Sequence, residues 1–118
     1  MPDPQWIATT GVVFVEPDGT RIPGSIRISL PEPAFEHDAQ CSYSIEPLVK
    51  SRAIYGMDNL QALLLALRTC GVELALFEQR GGRIELPPDD DGNPGARWEP
   101  SATFNEFFRV PGASARRI

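Results

Sequence analysis

An acidic run between residues 87 and 97 is the stretch of this chain that most resembles a metal-binding loop. Oxygen-bearing side chains occur at alternate positions in the run Asp89-Asp90-Asp91-Gly92-Asn93. A calcium loop has such a spacing and carries a glycine at its sixth position. With Gly92 in that place, the first ligand falls on Pro87 and the bidentate acid falls on Trp98, and neither side chain suits the ion. The sequence therefore favours a solvated acidic loop, and no metal or cofactor is predicted.

His37 is the only histidine in the chain, and histidine is the side chain best suited to acid–base work near neutral pH. It lies between Glu36 and Asp38 in a loop that also holds two prolines. Neighbouring side chains do not orient an imidazole as a catalytic triad does, and the chain has no nucleophile elbow, phosphate-binding loop or HExxH motif. No catalytic residue is predicted, although a small hydrolase or ligand-binding domain using His37 or Asp89–Asp91 stays an alternative.

The composition fits one globular domain spanning residues 1–118, because 42% of the residues are hydrophobic. Sixteen acidic and eleven basic side chains give a net charge of −5, which disfavours duplex nucleic acid or an anionic membrane as partner and favours a basic protein. No long apolar run and no signal peptide are evident, so a cytoplasmic location is predicted. In that compartment Cys41 and Cys70 are expected to be buried and reduced.

Residues 6–55 have the pattern of an antiparallel β-meander. Both alternating sets of residues 6–15 are apolar, residues 21–30 alternate between apolar and polar, and Pro17-Asp18-Gly19 between them is a turn signal. Residues 40–46 alternate again, and a short run near Ile54 supplies a fourth strand. The polar face of this meander is predicted to be solvated, with a small basic patch. That patch comprises Arg21, Arg27, Lys50 and Arg52, surrounded by Ser25, Ser29, Ser42 and Ser44.

Residues 58–80 are predicted to form one long helix. Asp58 and Gln61 have the spacing of a capping box, and Gly81-Gly82 is a stop signal. At about 100° per residue, one broad arc of mostly apolar residues is predicted to face the sheet. The arc contains Leu60, Leu63, Leu64, Leu67, Cys70, Gly71, Leu74 and Phe77. A second line of apolar residues, here called the outer stripe, lies almost opposite and consists of Leu65, Val72 and Leu76.

The remaining segments complete an α+β fold. The predicted segments are a short strand at residues 83–86, the acidic loop at 87–97, a short aromatic segment at 101–110 and a frayed tail at 113–118. The prediction is thus an antiparallel four- to five-stranded meander packed on one long helix, with a short C-terminal aromatic segment.

Two apolar features exceed what this fold needs: the outer stripe, and the cluster formed by Phe104, Phe107 and Phe108. Either the C-terminal segment folds over the outer side of the helix and the two features cover each other, or one of them binds a partner protein or a second copy of the chain. These six residues are the predicted partner-binding residues.

The run Tyr55-Gly-Met-Asp-Asn-Leu-Gln-Ala-Leu63, after a meander and before Gly81-Gly82, resembles a group of small bacterial single-domain proteins of unknown function. Those proteins carry a Tyr-Gly-x-Asp-x-Leu-Gln-Ala-Leu core, and the likeness extends over about residues 6 to 86. It implies a compact α+β fold and no assigned activity. The chain is also similar, more weakly, to antitoxin domains of the HicB type, in which strands precede a helix.

The predicted function is that of a protein-binding module, such as an immunity or accessory factor for a basic partner protein. This prediction depends on the net charge, the outer stripe and the absence of a catalytic motif. A homodimeric structural protein that pairs through the outer stripe is a further alternative.

Overall fold

Seven elements follow one another along residues 4–34 and 37–98, the part of the chain that the computed structural model describes. They are β1 (Trp6–Val15), β2 (Arg21–Ser29), β3 (Ala39–Glu46), β4 (Val49–Gly56), α1 (Asn59–Gln79), β5 (Arg83–Glu85) and β6 (Arg97–Trp98).

The six strands form one antiparallel sheet in the order β4-β3-β2-β1-β5-β6, and α1 packs on one face of it, mainly across β3 and β4. The predicted α+β fold is confirmed, with six strands rather than four or five. The additional strand, β6, pairs Trp98 with Ile84 and Arg97 with Glu85. A strand of two residues is too short to show alternation, so the predicted acidic loop 87–97 runs one residue into it.

Local signals place the chain reversals where the sequence predicts them. Gly19 adopts a φ of 93° in the turn between β1 and β2, and its N–H donates to the Glu16 carbonyl over 2.8 Å. After α1, Gly81 has a φ of 97°, a left-handed conformation that glycine adopts without strain. A Cβ on Gly82 would lie 2.5 Å from the Phe77 ring, so the helix end also needs a bare backbone there.

The N-terminus of α1 is capped as predicted. The Asp58 carboxylate accepts a hydrogen bond from the Gln61 N–H over 2.7 Å, and the Gln61 side chain accepts one from the Met57 N–H over 2.6 Å. The first bond satisfies a backbone donor that the first turn leaves free, and the second holds the residue that precedes the cap. The helix continues without interruption through the buried Gly71, as the unbroken apolar pattern predicts.

The face of α1 that packs on the sheet differs from the predicted arc. Ala62, Ala66, Cys70 and Leu74 form the buried line at a spacing of four residues, while Leu60 and Leu64 are 65% and 43% exposed. The prediction for these two leucines is therefore wrong. Small side chains let the helix axis approach the sheet closely, and the space beneath it is filled by large side chains from the strands, including Phe14 and Tyr43. Phe14 also meets Phe77 edge to face, with ring centroids 5.6 Å apart.

The sheet face opposite α1 is less solvated than predicted, because Ser29, Ser42 and Ser44 are all buried. The Ser29 hydroxyl accepts a hydrogen bond from the Ser42 N–H over 2.7 Å, so it takes the place of a backbone group between β2 and β3. The expected burial of the two cysteines is confirmed, and both thiols are free.

Candidate functional site

The outer stripe of α1 is exposed. Leu65, Val72 and Leu76 present 37%, 53% and 39% of their surface to solvent. Leu64 is also exposed, but Arg68 separates it from this line around the helix. The three residues of the other predicted patch, Phe104, Phe107 and Phe108, lie outside the described residues.

The outer stripe carries little charge. Arg68, Glu73 and Glu78 are the only charged residues within α1. Glu73 turns toward the sheet, which leaves Arg68 as the exposed charge beside the stripe. The acidic groups of the described chain lie mostly in turns and loops, among them Asp18, Asp38 and Asp89. The surface of α1 is therefore close to neutral within an acidic protein.

Glu73 anchors one flank of α1 to the sheet. Its Oε2 atom accepts a hydrogen bond from the Tyr43 hydroxyl over 3.0 Å and lies 3.0 Å from an Arg52 guanidinium nitrogen. Burial and the Glu73 carboxylate raise the pKa of Tyr43 to about 12. Arg52 thus lies on the helix side of the sheet, because it pairs with the inward-facing Tyr43, and the prediction that placed it on the opposite face is wrong.

Arg21 and Arg27, two other members of the predicted basic patch, are paired with carboxylates. Arg21 and Arg83 both form ion pairs with the buried Glu85, and these bonds hold the pKa of that carboxyl below its usual value. Arg27 lies 3.6 Å from the Glu46 carboxylate and has its guanidinium 5.8 Å from the centroid of the Trp6 ring. The patch does not form a cluster of open cations.

His37 is exposed, and its ring lies against that of Tyr55, with centroids 4.1 Å apart. The two rings line a shallow, open depression of about 410 Å³ at the start of α1, together with Asp38, Gly56, Met57 and Gln61. None of these lining residues is a serine, threonine or cysteine. The described residues that line the depression therefore place no aliphatic hydroxyl or thiol nucleophile beside His37.

Within the acidic loop, the Asp89 carboxylate is hydrogen-bonded by other groups of the same loop. Asp89 accepts hydrogen bonds from the N–H groups of Asp91 and Asn93, over 2.9 and 2.8 Å, and from the Asn93 side-chain amide over 3.0 Å. The bonds from Asn93 come first among the contacts that lower the pKa of Asp89. Within residues 4–34 and 37–98, no group of three or more His, Cys, Asp or Glu side chains has the arrangement to hold a metal ion.

By length and composition, α1 could cross a membrane, and only 28% of its most apolar stretch is buried. Core helices of soluble proteins pass the same test, and α1 packs along the sheet. The low buried fraction reflects the leucines and valine on the outer side.

A feature that sequence reasoning missed is the exposed edge strand. β4 is the last strand on its side of the sheet, and it carries Lys50, Ala53 and Tyr55 in exposed positions. Alternation along a strand reports which side chains share a face, but it contains no information on whether the strand lies at an edge. Strand order alone could have revealed it.

Comparison with curated proteins and with solved structures finds no match to this chain. A family model described as a domain of unknown function (DUF6968) matches residues 13–94, which run from the last three residues of β1 through β5 and include the whole of α1. The match covers most of the chain, and the chain therefore belongs to this family of proteins of unknown function.

Proposed function

We propose that this protein is a protein-binding module that holds a partner protein on the outer stripe of α1. The observation that carries the proposal is the exposure of three aliphatic side chains in one line, Leu65, Val72 and Leu76. Contiguous exposed apolar surface is uncommon on soluble proteins and often marks a binding site. A complementary apolar groove on the partner would remove this surface from water, which is the main favourable contribution to such association.

Charge contributes at longer range. With a net charge of −5, the chain attracts a basic partner before contact and speeds its association. The stripe itself is close to neutral, so the contact surface of the partner is expected to be apolar and its basic residues to lie at the rim.

The biological role that fits this binding mode is that of an immunity or accessory factor in the cytoplasm. Such proteins act by occupying a surface of another protein and need no catalytic group of their own. An antitoxin role, which the HicB-type likeness implies, is one form of the same proposal.

The test is a charge placed at the centre of the stripe. Val72→Glu is expected to weaken partner binding at least tenfold, because an interface does not tolerate an unpaired buried charge. Thr9→Glu is the matched control, since it adds the same charge at an exposed position on β1, away from α1. Tagged wild-type protein and both variants are compared in pull-downs from the native host, with thermal melts to show that all three are folded.

The proposal predicts that one protein is recovered by the wild type and by Thr9→Glu but lost with Val72→Glu. Equal recovery by all three proteins, or no recovered protein at all, would contradict it.

A further inference from the structure

The outer edge of β4 has no strand paired to it among the described residues. β4 lies at one end of the sheet and has eight residues, whereas β6 at the opposite end has two. Short edge strands are a common protection against unwanted pairing, and a long edge strand presents a row of free backbone donors and acceptors. The two ends of the sheet therefore differ in their capacity to bind another strand.

The hydrogen bonds of β3 show which backbone groups of β4 point outward. The N–H of Ser42 donates to the Ser29 hydroxyl, and the N–H of Gln40 donates to the Glu32 carbonyl over 2.8 Å, so both point away from β4. Facing residues of antiparallel strands exchange either both backbone bonds or neither. Ala53 and Tyr55, which face Ser42 and Gln40, therefore direct their N–H and C=O groups out from the sheet.

We infer that this edge binds a second copy of the chain, with the two β4 strands antiparallel and the two-fold axis at Ala53. In this register the outward N–H and C=O groups of Ala53 bond with those of Ala53 in the other copy. The two six-stranded sheets then form one continuous sheet, and because α1 packs over β3 and β4, the two helices lie side by side on the same face.

The charges along the edge favour a second copy in this register. Pairing about Ala53 brings Lys50 of each copy opposite Gly56 of the other, at the end of β4 where Asp38 and Asp58 lie. The two copies of Lys50 stay far apart. Arg52 is held on the helix side by Glu73, so its charge does not block the edge.

The strand pairing itself involves no residue of the outer stripe, and the inference does not rest on the proposed function. A strand pair alone falls short of the roughly 800 Å² per partner of a standard interface, so contacts between the flanking helices are needed for a stable dimer. Because α1 of each copy packs over β3 and β4, the paired edges bring the two helices to where such contacts are expected.

The first experiment is light scattering after size-exclusion chromatography. The wild type is expected to have twice the chain mass of 13.0 kDa at concentrations of about 100 µM, a range in which a modest interface forms. Ala53→Pro is expected to be monomeric, because proline lacks the outward N–H at this position. The hydrogen bonds between β4 and β3 are kept, since the N–H of Ala53 does not take part in them. Ala53→Val is the matched control, since it keeps the N–H and should remain dimeric. A wild type of single-chain mass, or a folded Ala53→Pro variant that is still dimeric, would overturn the inference.

Carbodiimide cross-linking of the wild type gives an answer even if the proline variant does not fold. Lys50 is the only lysine in the chain, and within one copy it is about 20 Å along β4 from the end that carries Asp38 and Asp58. An amide between Lys50 and either aspartate can therefore form only between two copies. Mass spectrometry should find this cross-link in the covalent dimer. A dimer without it, or one dispersed by Val72→Glu but not by Ala53→Pro, would show that the copies meet elsewhere.

Discussion

The sheet side of α1 is lined mostly by small residues, whereas its outer side carries larger aliphatic ones. Ala62, Ala66 and Cys70 are fully buried, while Leu65 and Val72 are exposed. Hydrophobicity alone would place the leucines and the valine inside. Packing depends on volume as well, and where α1 lies close to a sheet filled with Phe14 and Tyr43 most of its buried positions are small, with Leu74 as the large exception.

The comparison bears on the proposed function. The apolar residues that the fold buries are those that fit beneath the helix, and those that it leaves exposed are the ones proposed to bind a partner. The three predictions that follow compare matched positions on the two sides.

The largest effect is expected from shortening a leucine on each side. Leu74→Ala should lower the free energy of unfolding by about 2–5 kcal/mol, because Leu74 is buried and its loss leaves a cavity. Leu76→Ala, the same change on the outer side, should cost about 0.5 kcal/mol or less. Urea denaturation followed by circular dichroism measures both values. Equal losses would mean that the two sides of α1 are packed alike in solution.

Enlarging an alanine is expected to have an intermediate effect. Ala66→Leu should destabilise the protein by about 1–3 kcal/mol, since the added carbons must fit between α1 and the sheet. Ala75→Leu is the control within the same helix, at a position that is not fully buried, and it should be close to neutral. Urea denaturation again supplies the measurement. A neutral or stabilising Ala66→Leu would contradict the close approach of helix and sheet.

A smaller effect is expected from the titration of Cys70. Burial and the nearby Glu73 raise the pKa of this thiol to about 12 from an ordinary value of 9.0. Above pH 9 the unfolded chain loses the proton while the folded chain keeps it, so the free energy of unfolding falls as the pH rises toward 12. Between pH 8 and pH 10 this loss amounts to about 1 kcal/mol.

Denaturant unfolding at several pH values checks this dependence, and Cys70→Ala should flatten it. Tyr43 and Cys41, whose pKa values are also raised, contribute in the same direction and preserve part of the slope in the variant. A Val72→Cys variant gives the contrast on the outer side, because its thiol should react with thiol reagents in the folded protein while the native cysteines do not. Rapid modification of Cys70 in the folded state would show that it is not buried.

Much of the fold could be predicted from local signals. Alternation of apolar residues located the first strands. Pro17-Asp18-Gly19 located the turn between them, and Asp58 and Gly81 marked the two ends of the helix. Each signal works because it concerns neighbouring residues, whose conformations depend little on the rest of the chain.

The site was only partly predictable. The outer stripe followed from the helical period, and its three residues are exposed in the structure. Leu60 and Leu64 were assigned to the core because the helical pattern contains leucines on several sides and does not say which side meets the sheet. The burial of Ser44 and the position of Arg52 were missed because both depend on contacts between strands.

The sequence by itself determined an α+β fold with a meander, one capped helix and more apolar surface than a single helix face requires. Those properties depend on local conformational preferences and on composition. Only the tertiary structure decided which side of α1 is buried, that Glu73 joins it to β3 and β4, and that β4 is a free edge among the described residues. The reason is physical: strand order and the volume available under the helix arise from contacts between residues far apart in the chain.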